Sequence, residues 1–363
     1  MAVVSRQAVD AALSTVKDPC LGMDLVALEA VNKVQIDGGK VAVEIVLGYP
    51  ALGSRQALGD QVLQVLLALE GVTEADVDMG WYVHPAPIAN SQAAIAGVKN
   101  IVAVASGKGG VGKSTSTVNL ALALVAEGAK VGILDADIYG PSQPMMLGVG
   151  QQRPETHGQN QMKPIVAHGV QSISMGYLVT EKTPMAWRGP MVSGALQQLL
   201  NQTLWQDLDY LLIDMPPGTG DIQLTLSQHV PVTGAVIVTT PQDIALLDAQ
   251  KGIEMFRKVN VPVLGVIENM ATHICSQCGH EEHIFGSGGG ERIALDYQSE
   301  LLGALPLDLS IRQNADGGSP TVVSEPDSEI TAVYRNIARK LGAKLWQQQK
   351  LGNAMPEISI SDD

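Results

Sequence analysis

The chain has 363 residues, a formal net charge of −14, 45% hydrophobic residues and 17% charged residues. That composition supports a sizeable core and excludes disorder on a large scale. The acidic balance, with no run of Lys or Arg, argues against nucleic-acid binding, because no basic surface is available to release counterions from phosphates.

Three cysteines, Cys20, Cys275 and Cys278, make no disulfide framework. The N-terminal residues lack the charged start, apolar block and cleavage site of a signal peptide. No apolar run reaches membrane-spanning length. These features predict a soluble protein of a reducing cytoplasm, with no membrane partner.

In chain order, residues 5–16 carry helical periodicity. Two alternating runs then flank Asp37-Gly38-Gly39, a hairpin signal. An amphipathic helix over 55–69 is stopped by Gly71, and 72–81 reads as a third strand. Residues 1–85 therefore form a small unit of order α-β-β-α-β. Residues 86–99, rich in Pro, Ala and small polar residues, read as a linker with few contacts crossing it.

From Ile101 the pattern becomes short, wholly apolar strands alternating with helices: IVAVAS, VGILDAD, YLLIDMPP, GAVIVTTP, VLGVIENM and LLGALPLD. Runs buried on both faces belong to a parallel sheet covered by helices. The expected fold class is α/β: a doubly wound, mostly parallel sheet over 100–348, with a small N-terminal α+β domain. The last helix is expected over about 328–348 and an acidic tail over 349–363.

Gly107, Gly112, Lys113 and Ser114 fit G-x-x-x-x-G-K-[ST], directly after a strand and opening a helix. Glycines at such a turn let backbone N–H groups approach phosphates, and the helix N-terminus favours negative charge. The expected cradle for ATP is Gly107, Lys108, Gly109, Gly110, Val111, Gly112, Lys113, Ser114 and Thr115. Lys113 is placed to reach the β/γ-phosphates and the Ser114 hydroxyl to bind Mg²⁺. The bland alternative is a glycine-rich turn without a ligand. A second lysine, Lys108, resembles the mark of the deviant class that includes MinD, ParA and the nitrogenase iron protein. In that class this lysine crosses a dimer interface to the partner's nucleotide.

Three acidic residues stand at strand ends, where an open α/β sheet forms its ligand crevice. Asp135 and Asp137 close VGILDAD, and Asp214 closes YLLID, the expected place for the carboxylate of the Mg²⁺ shell. Asn269 ends a further strand and is placed to read an adenine edge; a turn asparagine is the alternative.

Cys275 and Cys278 form a C-x-x-C after VLGVIENM. Such thiolates bind a metal, cycle as a redox pair or stay inert. A 4Fe–4S cluster needs four ligands. Two thiols per chain suffice if a two-fold dimer supplies the other two. Zinc held with His280 and His283 is the rival, although the gap from Cys278 to His280 is far shorter than in a zinc finger. Cys20, alone in KDPC, reads as a bystander.

SGKGGVGKST, DADIYGPSQP, DMPPGTGD, ENM followed by C-x-x-C, IFGSGGGERIA and PLDLSIR occur in this order. Over about 100–345 the chain resembles the Mrp/ApbC family of ATP-dependent iron–sulfur cluster carriers. The resemblance implies a deviant P-loop ATPase homodimer that holds a labile 4Fe–4S cluster and passes it to apo iron–sulfur proteins in concert with the cluster-assembly machinery. It also implies that Asp137 orients the attacking water, that Asp135 assists Mg²⁺, and that residues 215–221 sense the γ-phosphate. Residues 1–85 resemble the iron–sulfur-assembly domain often fused to such carriers. Here, however, the usual DPE reads Asp18-Pro19-Cys20, and the loop after the second strand has no cysteine. A spatial-organisation ATPase like MinD or ParA is the alternative function. A reductase like the nitrogenase iron protein fits less well, since its cluster cysteines are widely separated.

Overall fold

The computed structural model describes residues 4–88, 92–158, 160–178, 189–275 and 277–354. The acidic tail beyond Ala354, Ser276 between the paired cysteines and part of the expected linker lie outside them.

Ser5 opens α1 (Arg6–Leu13) by accepting the Ala8 N–H at 3.2 Å, a side-chain cap for an otherwise unsatisfied donor. β1 (Val31–Asp37) and β2 (Lys40–Leu47) pair antiparallel, turning through Gly38 at φ 57. After α2 (Arg55–Leu67), β3 (Glu74–Trp81) returns parallel to β2. On β2 the alternate residues Val41, Val43, Ile45 and Leu47 are buried, and they share a core with Val9 and Leu13 of α1 and Leu58 and Val62 of α2. The order α-β-β-α-β is the one expected.

The larger unit runs β4 (Val98–Ala105), α3 (Lys113–Ala126), β5 (Val131–Asp135), α4 (Gln143–Met146), β6 (Thr156–His157), β7 (Gln161–Met162), β8 (Ile165–Ala167) and β9 (Val170–Ser174). Then come α5 (Gly189–Gln202), β10 (Leu208–Asp214), α6 (Asp221–His229), β11 (Gly234–Thr239), α7 (Asp243–Lys258) and β12 (Val263–Glu268). The last elements are β13 (His273–Ile274), β14 (Glu281–Glu282), α8 (Gly289–Asp296), β15 (Leu301–Ala304), α9 (Leu309–Asp316), α10 (Thr321–Ser324) and α11 (Glu329–Ala354).

Eight strands form one sheet in the order β15-β12-β11-β4-β10-β5-β9-β8. All neighbours are parallel except β8, which pairs antiparallel with β9. The strands β5 and β11 are buried along their whole length, as helices on both faces require. The winding reverses around β4, so the carboxyl ends of β4, β5, β10 and β12 gather at one crevice, the general ligand position of such sheets.

The two units are not loosely strung. Ala343 and Trp346 of α11 belong to the N-terminal core, and a Cβ on Gly48 would stand 2.1 Å from the Trp346 ring. Glu127, wholly buried at the end of α3, accepts from the Gly53 N–H at 2.8 Å, Arg335 Nε at 2.7 Å and Arg339 Nη1 at 2.6 Å. Many contacts therefore cross the boundary. Linker composition reports only on the linker, whereas the docking is made by a helix from the far end of the chain.

Candidate functional site

The loop between β4 and α3 has Gly110 at φ 83 and Gly112 at φ 81. These are left-handed conformations in which a side chain would be strained. Gly107 is required for closeness: a Cβ there would lie 2.1 Å from the backbone of Asp248 on α7. Gly109 and Gly110 are exposed, so the loop's concave backbone faces solvent.

Lys113, buried, donates from Nζ to Ser114 Oγ at 3.0 Å and forms an ion pair with Asp214. Asp214, wholly buried at the end of β10, also accepts from Thr117 Oγ1 at 3.3 Å and from Gln143 Nε2 at 2.8 Å. Asp135 ends β5 beside it in register. Its carboxylate accepts from the N–H groups of Asp137, Ser142 and Gln143 and from Ser174 Oγ, at 3.0 to 3.2 Å. Burial and the neighbouring Asp214 carboxylate raise the Asp135 pKa above the ordinary carboxylate range, and the Gln143 N–H, the Lys113 ammonium and the Ser174 hydroxyl oppose that shift.

Asp137 is half-buried, and its Oδ1 caps its own turn by accepting the Gly140 N–H at 3.1 Å. Lys108 is half-exposed, and its ammonium has no ion-pair partner among the described residues. Asn269 follows the last residue of β12. Its amide donates to the Val111 carbonyl at 2.9 Å, and its nitrogen stands 2.1 Å from where a Gly112 Cβ would be. In this state it holds the phosphate loop to the end of β12. The 215–221 loop is tied to the same place by the Gly218 N–H on Ser106 O, at 3.1 Å.

Sequence reasoning missed three participants: Thr117, Ser174 and Gln143. The last is wholly buried, touches both Asp135 and Asp214, and its Oε1 has no partner among the described residues. Gln143 lies within the DADIYGPSQP segment, but nothing in an isolated glutamine signals that role.

The paired cysteines occupy the tip of the hairpin β13–β14, where His273 faces Glu282 and Ile274 faces Glu281. The Cys275 N–H donates to His280 O at 2.9 Å and the Gly279 N–H to Cys275 O at 2.8 Å, a tight knuckle. Cys278 is exposed and Cys275 partly so. The hairpin stands just beyond Asn269 on the chain. Neither histidine joins the thiols: His283 Nδ1 lies 3.0 Å from Ala271 O, and His280 faces Glu282 at 3.6 Å. Among the described residues no group of three or more His, Cys, Asp or Glu is arranged to hold a metal ion.

Cys20 belongs to a different setting. The buried Asp18 accepts from its N–H at 2.9 Å and from Tyr49 Oη at 2.6 Å. In the glycine-rich IFGSGGGERIA segment, buried Glu268 accepts the Gly290 N–H at 2.8 Å and so caps α8.

A strand, a left-handed glycine loop, a lysine and a serine opening a helix, and carboxylates ending the two neighbouring strands define a P-loop NTPase. The family described as NUBPL iron-transfer P-loop NTPase matches residues 97–342, and the iron–sulfur cluster assembly protein family matches residues 6–77. The chain belongs to the iron-transfer P-loop NTPases, among relatives named iron–sulfur cluster carrier proteins.

One such relative, from Escherichia coli strain K12, is 53% identical over 98% of this chain and 96% of its own. The iron–sulfur cluster transfer protein NUBPL of Mus musculus is 52% identical over 70% of this chain and 80% of its own. Among solved structures, a nucleotide-binding protein of Archaeoglobus fulgidus in complex with ADP superposes with TM-score 0.57 at 36% identity, covering 64% of this chain and 90% of that one. The cell-division ATPase MinD of Pyrococcus furiosus, at TM-score 0.51 and 23% identity over 67% of this chain and 98% of that one, shares the fold alone. No helix among the described residues is long and apolar enough to cross a membrane.

Proposed function

We propose that two copies of this chain form an ATP-hydrolysing dimer that carries one labile 4Fe–4S cluster between them and hands it to apo iron–sulfur proteins. The observation that carries this reading is the exposed thiol pair with no third ligand beside it among the described residues. A cluster needs four thiolates. A two-fold axis through the two hairpins supplies them. Cargo held at a subunit boundary, on exposed loops, is released when the subunits shift, as a carrier requires.

On the nucleotide side, the N–H groups of residues 107–115 cradle the phosphates, and Lys113 leaves Asp214 for the β/γ-phosphates. Ser114, Asp214 and Asp135 would hold Mg²⁺, which would supply positive charge to offset that of the phosphates. The donor set fits a hard cation: a hydroxyl and two buried carboxylates. Asp137 orients the attacking water with the carboxylate oxygen its turn leaves over. Lys108, without an ion partner among the described residues, reaches the partner's nucleotide and stabilises the transferring phosphoryl group. Asn269 fastens the phosphate loop to the strand that leads into the cysteine hairpin. This gives nucleotide and cargo a shared support. The setting is the cytoplasm, and the partners are the assembly machinery that loads the cluster and the apo-proteins that receive it.

The test is iron and sulfide analysis after anaerobic reconstitution. About four irons per dimer are expected. Cys275→Ala and Cys278→Ala each lose the iron, and Cys20→Ala keeps it. Stoichiometric zinc in place of iron, or full iron retention in the Cys278→Ala protein, would overturn the reading.

A further inference from the structure

Gln143 opens the short helix α4 and is wholly buried. Its Nε2 donates to Asp214 Oδ2 at 2.8 Å and to Ser114 O at 3.1 Å. Its backbone N–H donates to Asp135 Oδ2 at 3.1 Å. One residue therefore binds both strand-end carboxylates and the main chain of the serine that follows the P-loop lysine. The orientation of its amide is settled by its neighbours. An ionised carboxylate and a carbonyl only accept, so the NH₂ must face them and Oε1 must point away.

Both amide hydrogens are thus used, and Oε1 is left buried with no donor among the described residues. Native folds seldom carry such an orphan without a reason. The missing partner has to be a donor. Nucleotide phosphates are acceptors and cannot serve. Lys113 Nζ is engaged with Asp214 and Ser114 and is due to move toward the phosphates. Water bound to a divalent cation is a strongly polarised donor, and the carboxylate that Gln143 steadies is the one placed to hold that cation.

We infer that Gln143 is a positioning residue for the magnesium shell, fixing Asp214 through its nitrogen and accepting a hydrogen bond from a cation-bound water through Oε1. This rests on the nucleotide-site reading above. It adds to that reading a residue whose effect is on the metal rather than on the nucleotide itself.

The test is ADP binding to the full chain by titration calorimetry, in EDTA and in MgCl₂, for the wild type, Gln143→Met and Gln143→Glu. Methionine fills the space without the amide. Metal-free ADP affinity should stay within about twofold, and the gain in affinity on adding Mg²⁺ should shrink about tenfold, as loss of one hydrogen bond to a charge-polarised water predicts. Glutamate keeps an acceptor in place but sets a third carboxylate beside Asp214 and Asp135. Metal-free affinity should fall, and the Mg²⁺ gain should grow by about tenfold.

Opposite responses of the two variants to Mg²⁺ support the inference. Equal losses with and without Mg²⁺ in both would mean that Gln143 only packs, and would overturn it. If Gln143→Met fails to fold, a glutamate variant with an unchanged Mg²⁺ gain overturns it alone. A wild type that binds no ADP would instead sink the nucleotide-site reading.

Discussion

The backbone N–H groups of Gln277 and Cys278, and then the Cys278 thiol, point at the Cys275 sulfur and hold its pKa below the ordinary thiol value. Burial pushes the Cys20 thiol the other way, to about 11. Only the thiolate alkylates. For Cys275 the thiolate persists as pH falls below the usual thiol range and is lost only below its lowered pKa; for Cys20 it appears only as pH approaches about 11. Iodoacetamide labelling of the metal-free protein, read peptide by peptide by mass spectrometry, should therefore level off first for Cys275 and keep rising past pH 10 for Cys20. Faster labelling of Cys20 at pH 8 would contradict this account. At this scale the glycines, Lys113, Ser114 and Asp214 were legible because phosphate binding at a strand–helix turn tolerates few residue types. Gln143, Thr117 and Ser174 were not, since ordinary polar residues acquire a role only from where folding brings them. Asn269 was visible as a strand-end asparagine, yet its amide is occupied by the Val111 carbonyl.

The strands β5, β10 and β11 declare themselves through their apolar runs, because burial on both faces leaves no polar alternation. The strands β8 and β9 do not. β9 carries Gln171, Ser172 and Ser174, and its serines are buried by bonding to Ile165 O and to Asp135. The hairpin β13–β14 has two residues per strand, below any periodic signal. The junction of β4 with α7 is a further feature of element packing that composition hides, and it is testable. At Gly107 an added methyl would meet the Asp248 carbonyl at 2.1 Å, whereas at Gly109 the nearest atom is Pro217 Cβ at 3.8 Å. A clash with helix backbone cannot be relieved by a side-chain rotation. Gly107→Ala should lose about 2–3 kcal/mol of stability in denaturant unfolding and with it most nucleotide binding. Gly109→Ala should stay within about 0.5 kcal/mol of the wild type. Equal stability of the two variants would show that the loop does not depend on contact with α7.

The helix α3 begins at Lys113 in the phosphate loop and hands over after 14 residues to Glu127, where the N-terminal domain is attached. About 21 Å of unbroken helix therefore joins the nucleotide crevice to the domain boundary. At its far end one carboxylate gathers Gly53, Arg335 and Arg339, while Trp346 fills the space left by Gly48. The nucleotide-site residues are carried by the sheet of the larger unit, whose core takes Val83 and Ala86 from residues 1–90 but not the helices and strands of the small domain. Deleting residues 1–90 should thus leave ADP binding within about threefold of the full chain. It should lower the melting temperature, because Ala343 and Trp346 lose their cover. Glu127→Ala in the full chain separates attachment from truncation. It strands two guanidinium groups and one N–H around a buried position, at a cost of about 3 kcal/mol. The cost falls on the boundary, so limited proteolysis within 86–99 should accelerate in this variant while ADP, bound at the other end of α3, slows it. Melting and cleavage unchanged from the wild type would mean that the two domains are tethered without being coupled.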